Sequence, residues 1–328
     1  MKKILNYLFE HKSLDREKAR EVFLNISAGA YNESEIASFI TVYLMRSITI
    51  DELSGFRDAL LELCVKVDLG TEDMIDIVGT GGDGKNTFNI STLSCFIVAG
   101  TGLKVAKHGN YGSSSISGSS NVMETLGYKF KKDSDQLKRE LEEANICFLH
   151  APIFHPALKA VGPIRRNLGV RTFFNMLGPM VNPAFPKYKL IGVYNLEMAR
   201  IYNYLLQSST HPFTIIHGLD GYDEISLTGD TKVITNEGEK ILSAEELGKR
   251  TVSAMDITGG NSVEEAAKIF MKIIKGEGSW AQNAVVLANS AIALQSTGLY
   301  KNYDACFQLA VESLETGKAL KALQKLIA

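Results

Sequence analysis

The sequence predicts an α/β protein: a small all-helical N-terminal domain, then a larger α/β domain whose mostly parallel central sheet is covered by helices. Three observations carry this. Apolar residues recur at helical spacing through residues 1–68. From Met74 the pattern changes to short apolar runs alternating with helical stretches, the β-α order of a parallel sheet. Where the first run ends, Gly79, Gly81, Gly82 and Gly84 crowd together ahead of a helix, a turn that exposes backbone N–H groups.

In the helical part, Asn32 with Glu35 and Thr49 with Glu52 have capping-box spacing. Behind them Ile36, Phe39, Ile40, Tyr43 and Leu44 form one apolar stripe, and Leu53, Phe56, Leu60, Leu61 and Cys64 the next. No catalytic cluster occurs there. Asp68–Asp73, short, polar and glycine-containing, is the expected hinge. Strands are expected at Met74–Val78, Leu103–Ala106, Ile146–Leu149, Lys189–Tyr194 and Phe213–Ile216. Helices are expected at Leu93–Ala99, Ser134–Ala144 and Met198–Gln207, and in the tail near Ser262–Lys275, Trp280–Ser296 and Tyr303–Gly317. In such sheets ligands bind beyond the carboxyl ends of the strands.

The chain has 328 residues and a net charge of −2 with both signs mixed, so no global field recruits nucleic acid or an anionic membrane. Any anion site must be built locally. Cys64, Cys95, Cys147 and Cys306 lie far apart in apolar or helical contexts and read as reduced thiols of a cytosolic protein. The start, MKKILNYLFEHK, has too short an apolar part for a signal peptide, and no apolar run approaches the ~20 residues of a membrane helix.

Four motifs carry chemistry. The first, Gly79 to Thr92, satisfies the dinucleotide spacing Gly79-x-Gly81-x-x-Gly84, yet no acid follows about 20 residues later to hold a ribose. It is also a near-complete Walker loop ending in Gly84-Lys85, with Asn86 in place of the metal-binding hydroxyl. A turn needing glycine only for positive φ uses the same pattern. The second motif runs from Lys107-His108-Gly109-Asn110-Tyr111-Gly112 through Ser113, Ser114 and Ser115 to Ser119 and Ser120, and is expected to follow the second strand. Glycines, hydroxyls and one lysine suit phosphate, with a helix expected near Asn121–Leu126. A solvated serine loop is the plainer alternative.

The third motif is Asp223-Glu224, just past the strand at Phe213–Ile216. Adjacent carboxylates there can hold magnesium shared with substrate phosphates, although most such pairs are solvated surface. In the fourth, His155 to Pro183, Arg165, Arg166 and Arg171 stand beside Phe173 and Phe174, a combination suited to an aromatic carboxylate. A connecting helix with a basic face is the plainer reading, and the preferred one for Arg166.

Together and in this order, GTGGDG…NIST, KHGN…SGSS, RTFFNMLGP and GYDEISLTG closely resemble the anthranilate phosphoribosyltransferase family over nearly the whole chain. The resemblance implies a nucleoside phosphorylase/phosphoribosyltransferase-like fold, with part of 156–186 joining the 1–68 helical domain and 69–328 forming the other. It implies a cytoplasmic homodimer that uses phosphoribosyl pyrophosphate (PRPP), anthranilate and two Mg2+ per active site. PRPP would meet Gly79, Gly82, Asp83, Thr87, Asn89, Ile90, Ser91, Thr92, Lys107, His108, Gly109, Asn110, Tyr111, Gly112, Ser113, Ser114, Ser115 and Ser119. Anthranilate would meet Gly79, Asn110 and Arg165, and metal Ser91, Asp223 and Glu224. Many members carry Arg at the position of Tyr111, Asp at Asn121 and a basic residue at Ile116, so the Tyr111 contact is the departure that matters.

The implied chemistry displaces pyrophosphate from ribose C1 by an aromatic amine that is already neutral at pH 7. No strong general base is needed, in keeping with the lack of any catalytic dyad in the motifs, and no catalytic side chain is assigned. Two rivals remain. A pyrimidine nucleoside phosphorylase would need inorganic phosphate and no pyrophosphate metal site. A non-enzymatic, anion-binding paralogue would show salt-sensitive oligonucleotide binding.

Overall fold

The computed structural model describes residues 1–112, 116–248 and 250–328, so Ser113, Ser114 and Ser115 lie outside the described residues. The chain forms two compact units, Met1–Lys66 with Ala151–Pro183, and Val67–His150 with Ala184–Ala328.

The first unit is helical: α1 (Lys2–Phe9), α2 (Arg16–Ser27), α3 (Glu33–Met45) and α4 (Ile50–Leu63). Both expected capping boxes form, Asn32 with Glu35 and Thr49 with Glu52. Glu52 is fully buried, a costly place for a carboxylate unless its lone pairs are used. It accepts from Leu14 N (3.0 Å), Thr49 N (3.0 Å) and both Arg46 Nη atoms (2.9 and 2.6 Å), which tie three segments together. Phe173 and Phe174 correct an expectation. Rather than offering a surface to a ligand ring, they fill this unit's aromatic core. Phe173 stacks on Phe56 at 4.7 Å and on Phe174 at 4.3 Å, while Phe174 packs against Phe23 at 5.7 Å. The helices alone leave this aromatic core incomplete, and the returning segment completes it.

The second unit holds a seven-stranded sheet: β1 (Ile75–Gly79), β2 (Val105–Gly109), β3 (Ile146–His150), β4 (Tyr188–Gly192), β5 (Phe213–Gly218), β6 (Thr231–Thr235) and β7 (Gly238–Leu242), in the order β3-β2-β1-β4-β5-β6-β7. The first five are parallel; β6 and β7 add an antiparallel edge. That hairpin was not foreseen, because β7 is half polar and exposed, as an edge strand is. Strand β2 also runs further than expected and contains Lys107 and His108. Their polarity ended the sequence pattern at Ala106, but in the fold Lys107 Nζ donates to the Ile77 carbonyl at 2.7 Å, and the His108 main-chain N donates to Asp76 Oδ1 at 3.3 Å.

Helix α5 (Ile90–Gly100) is buried nearly all round, packed among the helices Trp280–Gln295, Tyr303–Glu315 and Lys318–Ile327, the last of which was not foreseen. It starts three residues before the expected Leu93, so Ser91 and Thr92 lie inside its first turn instead of ahead of it. Helix α6 (Ser119–Thr125) likewise starts two residues early, and α7 (Ser134–Ala144) matches its expected span. All four cysteines are buried free thiols. Among the described residues no helix is long and apolar enough to cross a membrane.

Candidate active site

The sheet order reverses between β1 and β4: the chain builds outward from β1 through β2 to β3, then returns to β1's other side. A crevice opens at the carboxyl ends of strands at such a switch point. Here those ends are two paired glycines, Gly79 and Gly192. Both are required by close approach. A Cβ on Gly192 would lie 1.6 Å from the Asp223 carbonyl oxygen, and one on Gly79 would lie 2.4 Å from Asp223 Oδ2.

The turn after β5, closed by Gly218 N donating to Tyr222 O at 3.0 Å, delivers Asp223 and Glu224 to this crevice. Asp223 Oδ2 accepts from Gly81 N at 2.7 Å, and Glu224 Oε1 accepts from Ser91 N at 2.9 Å in the first turn of α5. The third motif is thus hydrogen-bonded directly to the first. Asp83 Oδ1 accepts from Lys85 N at 2.9 Å, and Lys85 Nζ lies 4.6 Å from the centre of the Tyr222 ring.

Burial raises the carboxyls of Asp83, Asp223 and Glu224 above the ordinary carboxylate range, and their mutual repulsion raises Asp223 and Glu224 further. The Asp83 and Asp223 carboxyls lie close enough that the charge of Asp83 adds to burial in raising Asp223. Acids gathered in this way favour a cation. Among the described residues no three His, Cys, Asp or Glu side chains chelate a metal by themselves. Mg2+ keeps waters and shares phosphate oxygens with one or two carboxylates, so an adjacent acid pair beside a phosphate-type loop suits it. Asp223, Glu224 and the half-buried Ser91 hydroxyl are hard oxygen donors that would suit such an ion.

The other expected PRPP residues divide by exposure. Gly82, Asp83, Thr87, Asn89 and Ser91 are partly accessible, whereas Ile90 and Thr92 are buried in α5, leaving only their main chain to meet a ligand. Asn89 Nδ2 donates to Ser117 O at 3.1 Å, which draws the second motif to the first. In the second motif Lys107, His108 and Gly109 are buried strand residues, while Asn110, Tyr111 and Gly112 are exposed. Asn110 O accepts from Ser120 N at 3.1 Å, and Ser119 Oγ approaches the same oxygen at 3.4 Å.

Two departures from the family pattern find structural uses. Asn121 Oδ1 accepts from both Gly112 N and Gly118 N, each at 3.0 Å, so one amide oxygen clasps the two sides of the loop. Tyr111 stands edge-on to His150 at 4.9 Å. His150 stacks on Phe130 at 4.2 Å and pairs through Nδ1 with Ser120 Oγ at 2.8 Å. Burial lowers its imidazole to about 4, so the ring under Tyr111 is neutral at pH 7. Ile116 is exposed.

In the helical unit, Arg165 lies on the helix Gly162–Leu168 with its guanidinium 5.2 Å from the Phe174 ring centre. Its Nη2 donates to Asn175 Oδ1 at 3.2 Å, an oxygen that also accepts from Thr172 N at 3.3 Å. Burial lowers its proton affinity, and among the described residues no carboxylate pairs with it. Arg166 is exposed. Two features escaped the sequence reading, Gly192 and the Asp83–Asp223 contact. A glycine ending a strand was the available signal for the first; the second joins residues too far apart in the chain to be seen.

Two family models match: the glycosyl transferase family helical bundle domain over residues 2–64, and the glycosyl transferase family a/b domain over residues 71–320. A Flavobacterium johnsoniae protein named anthranilate phosphoribosyltransferase is 59% identical over 99% of this chain and 98% of its own. One from Bacteroides thetaiotaomicron with the same name is 56% identical over 100% and 98%. The crystal structure of the Thermus thermophilus anthranilate phosphoribosyltransferase superposes with a TM-score of 0.91 at 30% identity, over 98% of each chain. The Saccharomyces cerevisiae enzyme in complex with PRPP and Mg does so with 0.87 at 28%, over 96% of this chain and 93% of that one. By sequence along its whole length and by fold, this chain belongs to the anthranilate phosphoribosyltransferase family.

Proposed function

We propose that this chain transfers the 5-phosphoribosyl group from PRPP to the amine of anthranilate, giving N-(5-phosphoribosyl)anthranilate and pyrophosphate, a step of L-tryptophan biosynthesis. The observation that carries the reading is the meeting of Asp223 and Glu224 with the Gly79–Thr92 loop at the sheet's switch point. An acid cluster joined to a phosphate-type loop and a helix N-terminus is what a metal-bridged pyrophosphate needs.

The loop residues Gly79, Gly82, Asp83, Thr87, Asn89 and Ser91, with Asn110, Gly112 and Ser119, hold PRPP. Backbone N–H groups do most of this work, as the burial of Ile90 and Thr92 suggests. Ser91, Asp223 and Glu224 hold magnesium, two ions per site. When bound, magnesium neutralises charge on the pyrophosphate as it leaves. Arg165, already oriented by Asn175 and without a carboxylate partner, takes the anthranilate carboxylate. The C1–O bond to pyrophosphate breaks and the C1–N bond forms, and the proton released from nitrogen passes to solvent or pyrophosphate. Positioning supplies the remainder, worth up to about 7–11 kcal/mol.

Val67–His150 with Ala184–Ala328 forms the PRPP-binding domain, and Met1–Lys66 with Ala151–Pro183 the helical one that carries Arg165. The four buried free thiols suit a reducing, cytoplasmic setting, and we take the enzyme to act as a homodimer. Anthranilate fluorescence followed with PRPP tests the reading. It should fall with magnesium present and persist without it. Persistence under saturating magnesium and PRPP defeats the reading, as would phosphate-dependent cleavage of pyrimidine nucleosides.

A further inference from the structure

A second stretch of chain is zipped onto the glycine loop. Phe88 N donates to Ile257 O at 3.1 Å and Gly259 N donates to Asn86 O at 2.7 Å, with Thr87 and Thr258 paired between them as an antiparallel bridge. The Asn86 side chain closes the contact, its Nδ2 donating to Gly260 O at 2.7 Å. Asn86 is the residue that breaks the Walker pattern, and the structure gives it this other task.

The approach is close enough to dictate a residue. A Cβ on Gly259 would lie 2.4 Å from the Thr87 carbonyl oxygen and 2.8 Å from its carbon. Its φ is not in the left-handed region, so space alone demands glycine there. The strap is anchored at both ends. Ile257 is fully buried and ends the short helical turn Ala254–Ile257; beyond Gly260, Asn261 N donates to Glu265 Oε2 at 2.7 Å at the start of the helix Val263–Ile274.

We infer that the Ile257–Gly260 strap is a positioning element for PRPP, and that Gly259 and Asn86 are its positioning residues. Gly81, Gly82 and Gly84, all at positive φ, leave the loop conformationally free where it would meet phosphate. Pinning Asn86–Phe88 from a rigid neighbour sets where Thr87, Asn89 and the first turn of α5 stand. It also lowers the ordering cost when the ligand arrives. A displaced strap therefore weakens PRPP and leaves anthranilate untouched. The inference rests on the proposal that Gly79–Thr92 holds PRPP.

The test measures Mg·PRPP binding by calorimetry, and both KM values, for the unaltered chain, Gly259→Ala and Asn86→Ala. Gly259→Ala pushes on Thr87 and should raise the PRPP Kd and KM about tenfold or more. Asn86→Ala removes one hydrogen bond and should raise them about threefold. In both, the KM for anthranilate should stay within about twofold, since a misplaced PRPP loop leaves uniform binding of the other substrate intact. Unchanged PRPP binding in the variants overturns the inference, as do equal rises in both KM values, which mark general loosening. Should Gly259→Ala not fold, Asn86→Ala decides by the same criteria. No Mg·PRPP binding by the unaltered chain defeats the assignment of the loop itself, and the strap's role with it.

Discussion

At Asp223 a single residue shapes its surroundings through both its main chain and its side chain. Its carbonyl oxygen fills the space beside Gly192, its carboxylate the space beside Gly79, and its Oδ2 holds Gly81 N–H. Glu224 anchors Ser91 N–H in the same way. Replacing both by Ala removes the acids assigned to magnesium and releases the glycine loop together. Turnover should fall about 10²-fold or more and lose most of its magnesium dependence, read from initial rates across a magnesium titration. Unchanged rates would remove the pair from the mechanism. Arg165 predicts a different signature. Its guanidinium rests on Phe174 and is aimed by Asn175 Oδ1, an oxygen that Thr172 N–H also holds in place. A lost charged hydrogen bond costs about 1.5–3 kcal/mol, so Arg165→Ala should raise the KM for anthranilate about 10- to 100-fold with a much smaller change for PRPP. Equal effects on both substrates would reject the role. Residues of this kind were legible because their types are chemically specific. Phe173 and Phe174 were misread because a Phe pair beside arginines looks alike whether it lines a ligand or fills a core.

At the scale of elements, what the sequence shows depends on local signals. Helix α7 keeps its expected span because Asp133 caps it, accepting from Gln136 N at 3.0 Å, and Asn145 ends it in the left-handed region at φ 57°. Strand β2 outran its expectation because the partners of the Lys107 ammonium and of the His108 main-chain N–H, Ile77 O and Asp76, come from β1 and are not local. Helix α7 also carries a pH dependence. Tyr128 Oη donates to Glu140 Oε2 at 2.9 Å while Oε1 is buried without a partner, and burial pushes the carboxyl up to about 7 from 4.5. A carboxyl raised by folding favours its protonated form. Its contribution to stability is whole below the unfolded value of 4.5 and is lost as pH rises through the folded value near 7. Glu140→Gln keeps the hydrogen-bond acceptor and cannot ionise. It should therefore flatten the dependence of Tm on pH between about 5 and 8 and raise Tm at the alkaline end by about 2 °C or more. Identical Tm-versus-pH curves for the two proteins would show that Glu140 does not titrate in this range.

Across the whole molecule, the fold class and the four motifs were readable, but their convergence was not. Gly81 and Asp223 meet across 142 residues, and Ser91 and Glu224 across 133. Only the sheet order, which places β1 beside both β2 and β4, joins such distant pieces. The result is a site in which three acids crowd together, and this predicts how ligands act on global stability. Magnesium or PRPP alone meets half of the site: acids without phosphate oxygens, or phosphate charge facing carboxylates. Together they should stabilise far more than the sum of their separate effects. At about 100 times Kd the gain is about 2.7 kcal/mol, or about 5 °C in Tm for domains of this size. Melting curves with magnesium, PRPP, both and neither measure it. The Asp223→Ala/Glu224→Ala variant should lose the synergy while Arg165→Ala retains it, because Arg165 is assigned to the other substrate. Additive shifts in the unaltered protein would mean that the two ligands do not share the acids at the switch point.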